Sequence, residues 1–88
     1  MRDYNATCES AHQHSSGHRD EVLASDLCGC FCCCEIFPPS EIEHWLNERG
    51  GTALCPRCSI DSVIGSKSMF PLTPQFLGQM HDYWFSKA

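Results

Sequence analysis

Four cysteines carry the strongest chemical signal in this chain: Cys30 and Cys33 form one Cys-x-x-Cys pair, Cys55 and Cys58 a second, with residues 34–54 between them. Two such pairs can place four soft sulfur donors around one ion with little backbone strain, which is what a tetrahedral structural zinc requires. Pro56 lies inside the second pair and restricts its turn before any metal arrives. A four-thiolate site keeps no vacant position for water or substrate, so the expected role of one Zn²⁺ bound by Cys30, Cys33, Cys55 and Cys58 is structural.

Eight cysteines in 88 residues also invite a disulfide reading. The stretch Met1 to Thr7 contains no apolar run that would serve as a signal peptide, and no apolar stretch is long enough to span a bilayer. The expectation is a cytoplasmic protein with no membrane contact, where thiols stay reduced and clustered cysteines serve metals. Cys8, Cys28, Cys32 and Cys34 are left over and read as small buried or half-buried thiols. A ligand role for Cys28, Cys32 or Cys34 stays open from spacing alone, and redox chemistry is disfavoured because a metal-bound thiolate is occupied.

The elements that must hold these residues follow from pattern. Residues 1–17 are rich in Ser, His and other small polar types and read as a disordered tail. Within it and at its end, His12, His14 and His18 could bind metal, though a solvated tail is the plainer reading. Residues 18–88 form one expected zinc-binding domain. A short helix over His18 to Asp26 leads into the first pair. After the Pro38-Pro39 break, Ser40 and Glu43 have the spacing of a capping box, which predicts a helix from Glu41 to about Arg49 burying Ile42, Trp45 and Leu46 and stopped by Gly50-Gly51. Thr52-Ala53-Leu54 and Ile60 to Ile64 lean towards short strands on either side of the second knuckle. Thr73-Pro74 marks the start of a last helix, with Phe76, Leu77, Met80, Tyr83 and Trp84 on one stripe. The stripe reads as core rather than as a docking face. The expected class is a small α+β zinc-stapled domain with two zinc knuckles, a short β-hairpin or small sheet, and two to three helices.

Charge narrows function further. The formal net charge is −5 with only six Lys and Arg residues, and a Zn²⁺ held by four thiolates would take it to −7. Phosphate backbones are repelled by such a chain unless its cations gather on one face. Nucleic-acid binding, through Arg49 and Arg57, is therefore the secondary reading. A small hydrolase or nuclease is a weaker third: Asp61, Ser62, His44 and His81 are its candidate residues, but adjacent Asp61 and Ser62 do not make a nucleophile and base. The leading expectation is a protein-interaction module that meets another protein. Asp61 either presents a carboxylate to that partner or accepts hydrogen bonds from the second knuckle.

The runs Leu27 to Cys33, Ile36 to Ile42, Thr52 to Cys58, Ile60 to Gly65, Pro71 to Thr73 and Tyr83 to Phe85 resemble a family of small bacterial cytoplasmic proteins. Its recurrent patterns are Cys-Gly-Cys-Phe-x-Cys and Leu-Cys-Pro-x-Cys-x-Ile-Asp-Ser-Val-Ile-Gly. The resemblance covers roughly Glu21 to Phe85 and leaves out the His-rich segment. It implies a small cytosolic zinc-binding protein of ribbon or knuckle type and no particular reaction. In that family position 32 tends to be aromatic, which implies that Cys32 is not a ligand.

Overall fold

A computed structural model describes residues 4–85. Its elements are α1 (Tyr4–His12), a 3-10 turn (Gln13–Ser15), α2 (Arg19–Leu23), β1 (Cys28–Cys30), β2 (Ile36–Phe37), a 3-10 turn (Pro39–Glu41), β3 (Trp45–Leu46), β4 (Thr52–Ala53), β5 (Val63–Gly65), a 3-10 turn (Ser66–Ser68) and α3 (Pro74–Phe85). The result is an α+β fold with two small antiparallel sheets, ordered β2-β1-β5 and β3-β4.

The three-stranded sheet divides the interior in two. Successive side chains on a strand point to opposite faces, so Cys28, Cys30 and Val63 join Val22, Phe37, Ile42, Ala53 and Cys55 in one cluster. Ile64 turns the other way and packs with Phe31, Phe76, Leu77 and Met80 beneath α3. The sheet carries glycine where each layer comes closest, Gly29 on the central strand β1 and Gly65 at the end of the edge strand β5. A Cβ on Gly29 would stand 3.0 Å from Leu77 of α3, and one on Gly65 would stand 2.3 Å from Ser25 Oγ and 3.3 Å from Val22 Cα. Helices thus press on both faces through the missing side chains.

The helix α3 begins as its sequence indicates: the Phe76 amide donates to Thr73 Oγ1 at 3.1 Å and the Leu77 amide to the Thr73 carbonyl at 2.9 Å. Phe76, Leu77 and Met80 are buried, and Tyr83 and Trp84 pack against the same cluster. The stripe is core.

Two expectations fail. The segment read as a tail is folded from residue 4: α1 buries Cys8 and Ala11, one helical turn apart, against the α3 layer. Trp84 Nε1 donates to the Cys8 carbonyl at 3.3 Å, and Tyr83 Oη donates to Glu9 at 2.7 Å. So small an apolar face gives no pattern that would separate it from a tail, and it is the large apolar surface of α3 that makes the docking favourable. Residues 1–3 of the expected tail lie outside the described residues.

The expected helix over 41–49 is absent. Pro39–Glu41 make only a 3-10 turn with no side-chain cap, and Trp45 and Leu46 pair with Ala53 and Thr52 as a hairpin. Gly50 and Gly51, expected to stop a helix, instead follow Arg49 in a hairpin turn where all three have positive φ of 45°, 88° and 119°. A nine-residue helix with three apolar side chains is marginal. The hairpin gives Trp45 a backbone partner and the Arg19 guanidinium, 4.7 Å from its ring centroid. The two strands expected to flank the second knuckle also part company: β4 pairs with β3, and the second begins only at Val63 and pairs with β1.

The glycine contacts yield a paired prediction. Gly65→Ala should cost about 1–3 kcal/mol by overpacking Ser25, whereas Gly78→Ala, with nothing within 4 Å of the added Cβ in α3, should gain about 0.5–1 kcal/mol. Denaturant midpoints of the two variants check both signs.

Candidate metal centre

Both Cys-x-x-Cys pairs fold into the same turn. The Cys30 amide donates to the Glu35 carbonyl and the Cys55 amide to the Ile60 carbonyl, each at 3.0 Å. The Cys34 amide returns to the Cys30 carbonyl at 2.7 Å, and the Ser59 amide to the Cys55 carbonyl at 2.9 Å. Cys34 and Ser59, the residues that follow each pair, take left-handed φ of 63° and 68°. In each turn the amide two residues on points at the first sulfur, Cys32 N to Cys30 Sγ and Arg57 N to Cys55 Sγ, both at 3.3 Å. The two knuckles are copies built from different sequences, one leaving β1 and the other following β4.

Their sulfurs converge. The ligand atoms of Cys30, Cys33, Cys55 and Cys58 all lie within 4.8 Å of one another, and no other such group of three or more His, Cys, Asp or Glu residues occurs among the described residues. Cys30 Sγ is 3.6 Å from Cys58 Sγ and Cys33 Sγ is 3.7 Å from Cys55 Sγ. A metal–sulfur bond of about 2.3 Å puts the edge of a regular tetrahedron at about 3.8 Å, so the set fits a four-coordinate ion. A disulfide needs sulfurs at about 2.05 Å, and all eight cysteines are free thiols.

Electrostatics explains why a cation belongs here. Burial works against the Cys30 thiolate, but hydrogen bonds from Ser62 and from the amides of Cys33 and Cys32 outweigh it and leave this thiol below its ordinary value. Burial pushes the Cys33 thiol up to about 11 and raises Cys58 as well, with the Cys30 charge adding to both. Four thiolates at this spacing repel one another, and only a bound cation lets all four ionise.

The remaining candidates sit apart. Cys28 and Cys8 are buried, and burial holds the Cys28 thiol up at about 12. Cys32 and Cys34 are half-buried, one against each core cluster, and none of these four joins the sulfur group. Nor do the three histidines converge. His12 stacks on Trp84 with centroids 4.1 Å apart, and His14 Nδ1 meets Glu21 at 2.9 Å. His18 is buried, its Nε2 accepting from the Ala53 amide at 3.0 Å while Nδ1 faces the His14 carbonyl. That ring is a structural tie between α2 and β4, which the sequence alone does not reveal.

Support for the metal ligands comes from an unexpected neighbour. Asp61 makes no hydrogen bond to the second knuckle and is exposed, whereas Ser62 is buried with its Oγ 3.0 Å from Cys30 Sγ. Engaged in this way, Ser62 has no histidine partner. His81 Nδ1 meets the Phe31 carbonyl at 3.2 Å instead, and His44 lies exposed with its carbonyl bonded to the Leu54 amide. Neither His44 nor His81 hydrogen-bonds Ser62. Compared with protein-family models, curated proteins and solved structures, the chain gives no significant match.

Ser62→Ala should weaken metal affinity by about 10-fold or more and Asp61→Asn should leave it unchanged, as read by competition with a chromogenic chelator. His18 supplies a pH prediction. Burial lowers its pKa below 6.5, so its contribution is present above pH about 6.5 and fades as pH falls through the folded value. Thermal midpoints between pH 8 and pH 5 should therefore drop more steeply for the native chain than for His18→Phe, and equal slopes would refute this role.

Proposed function

We propose that this chain is a small protein-interaction module whose fold is stapled by one structural Zn²⁺ bound to Cys30, Cys33, Cys55 and Cys58. The observation that carries the reading is the closed set of four sulfurs at the edge of a core cluster, Cys30 and Cys55 buried and Cys33 and Cys58 half-buried: a tetrahedral ion there would have every position filled by protein and none left for a substrate. The chemistry of the ion when bound is to offset half the charge of four thiolates and join two distant turns. Zinc suits a donor set of four thiolates in tetrahedral spacing. What remains for function is surface, and several large apolar side chains lie on it, among them Leu23, Leu27 and Met69, the last 86% exposed. No described helix is long and apolar enough to cross a membrane. The formal charge of −5 speaks against a phosphate backbone as the partner.

A core of this size supplies only about 3 to 5 kcal/mol, against about 10 to 16 kcal/mol of apparent binding free energy for structural zinc in small domains. Elemental analysis should find one zinc per chain, and chelation or Cys55→Ser should abolish the cooperative thermal transition. A metal-free chain that keeps its transition would sink the staple. For the interaction itself, proteins captured by the zinc-loaded chain are purified and their binding measured. Micromolar or tighter affinity supports the module, while retention of a nucleic acid at physiological salt in preference to any protein would replace it.

A further inference from the structure

A cavity of about 310 Å³ opens beside the first knuckle, between the α1 end of the molecule, the β3–β4 turn and the C-terminus of α3. Its volume is at the lower limit for small-ligand sites. One wall is aromatic: Phe31, Trp84, Phe85 and His12 line it, with the His12 and Trp84 rings 4.1 Å apart and those of Phe31 and Phe85 5.7 Å apart. Phe85 stays 45% exposed at the mouth, and Ile60 adds an apolar rim that is 38% exposed. The polar part of the lining contains Asp61, Glu48 and Arg49.

These three charged groups differ in what they have left to offer. Arg49 Nη2 donates to Ser16 Oγ at 3.1 Å, and Glu48 Oε2 accepts from Thr52 Oγ1 at 3.1 Å. Asp61 has no hydrogen-bond or ion-pair partner among the described residues. The cavity therefore carries an uncommitted acceptor with negative charge, a net charge of one carboxylate, and ring faces. That combination recognises a donor with positive charge on an apolar stem: the carboxylate pairs with the ammonium, and the rings attract it and cover its methylenes. An anion would meet two carboxylates, Asp61 and Glu48, against the single guanidinium of Arg49.

Resting on the interaction reading above, we infer that this cavity is the partner-recognition site and that it takes an alkylammonium group, foremost a lysine side chain. Metal loading and recognition are then coupled through two residues. Phe31 belongs to the first knuckle, and its amide donates to the Ser62 carbonyl at 3.0 Å. Ser62 lines the cavity while its Oγ meets Cys30 Sγ at 3.0 Å. The cavity wall is thus continuous with the metal ligands, and the wall forms only when the knuckle does.

The test is calorimetric titration of the zinc-loaded chain with N-acetyl-lysine methylamide, its uncharged norleucine counterpart and spermidine, with the Trp84 indole resonance as a site marker. The lysine probe should bind with a Kd of about 1 mM or tighter and shift that resonance, and the norleucine probe about tenfold more weakly or worse. Asp61→Asn and the rim variant Phe85→Ala should each lose about tenfold with zinc content and thermal midpoint unchanged, while Asp26→Asn, a carboxylate away from the cavity, should bind as the native chain does. Equal binding of lysine and norleucine probes, undiminished binding by Asp61→Asn, or no saturation by the lysine probe would each overturn the inference. Tighter binding of spermidine than of the lysine probe would also overturn the lysine assignment and make the ligand a free polyamine. Failure of the interaction reading is seen separately, as a cavity that binds the lysine probe in a chain that captures no protein.

Discussion

Four sulfurs from two turns must meet at one point, and the rest of the molecule is arranged around that meeting. One turn leaves β1 and the other follows β4, so the chain between them has to travel out and return within residues 34–54. The return is a hairpin rather than a helix because a hairpin brings its ends together, which is what convergence of Cys33 and Cys55 demands. The same demand explains the left-handed residue after each pair. With Cys34 and Ser59 at positive φ, the chain turns away from the sulfur cluster immediately after each pair, and a backbone amide of each turn faces its first sulfur.

The central sheet separates this metal layer from a second core and yet connects them. Alternation along β1 and β5 sends Cys30 and Val63 to one side and Ile64 to the other, with Gly29 admitting Leu77 of α3. Phe31 crosses the divide, since it lies inside the metal knuckle while its side chain is buried with α3. A protein of this size has little core to spare, and two layers sharing one thin sheet let each helix bury its face without a separate domain. Ser62 occupies the corresponding position on the metal side: buried, bonded to Cys30 and directly next to an exposed carboxylate at Asp61.

Much of the metal site is legible in the sequence. Two Cys-x-x-Cys pairs and a proline within one of them point to four convergent thiolates, and the structure brings Cys30, Cys33, Cys55 and Cys58 together. The helix α3 is equally legible, because Thr73, Pro74 and a stripe of large apolar residues each report locally on the same element. Less visible are the contacts whose partners are remote. Burial of His18 depends on the Ala53 amide 35 positions away, and α1 on the side chains of Tyr83 and Trp84. The capping-box spacing at Ser40 and Glu43 misleads for the same reason: a local preference worth about 1 kcal/mol yields to a hairpin required by distant ligands.

What the sequence determined by itself is the set of four cysteines able to share one metal ion and the periodicity of the long C-terminal helix, since both are encoded in spacing over a few residues. Tertiary structure alone decided that residues near the N-terminus fold as α1, that Trp45 lies in a hairpin, that Ser62 rather than Asp61 meets Cys30 of the sulfur cluster, and that Asp61 faces a cavity walled by aromatic rings. Each of those depends on which side of a shared sheet a side chain falls and on what arrives from elsewhere in the chain to meet it. Spacing along a sequence carries the first kind of information; only packing in three dimensions carries the second.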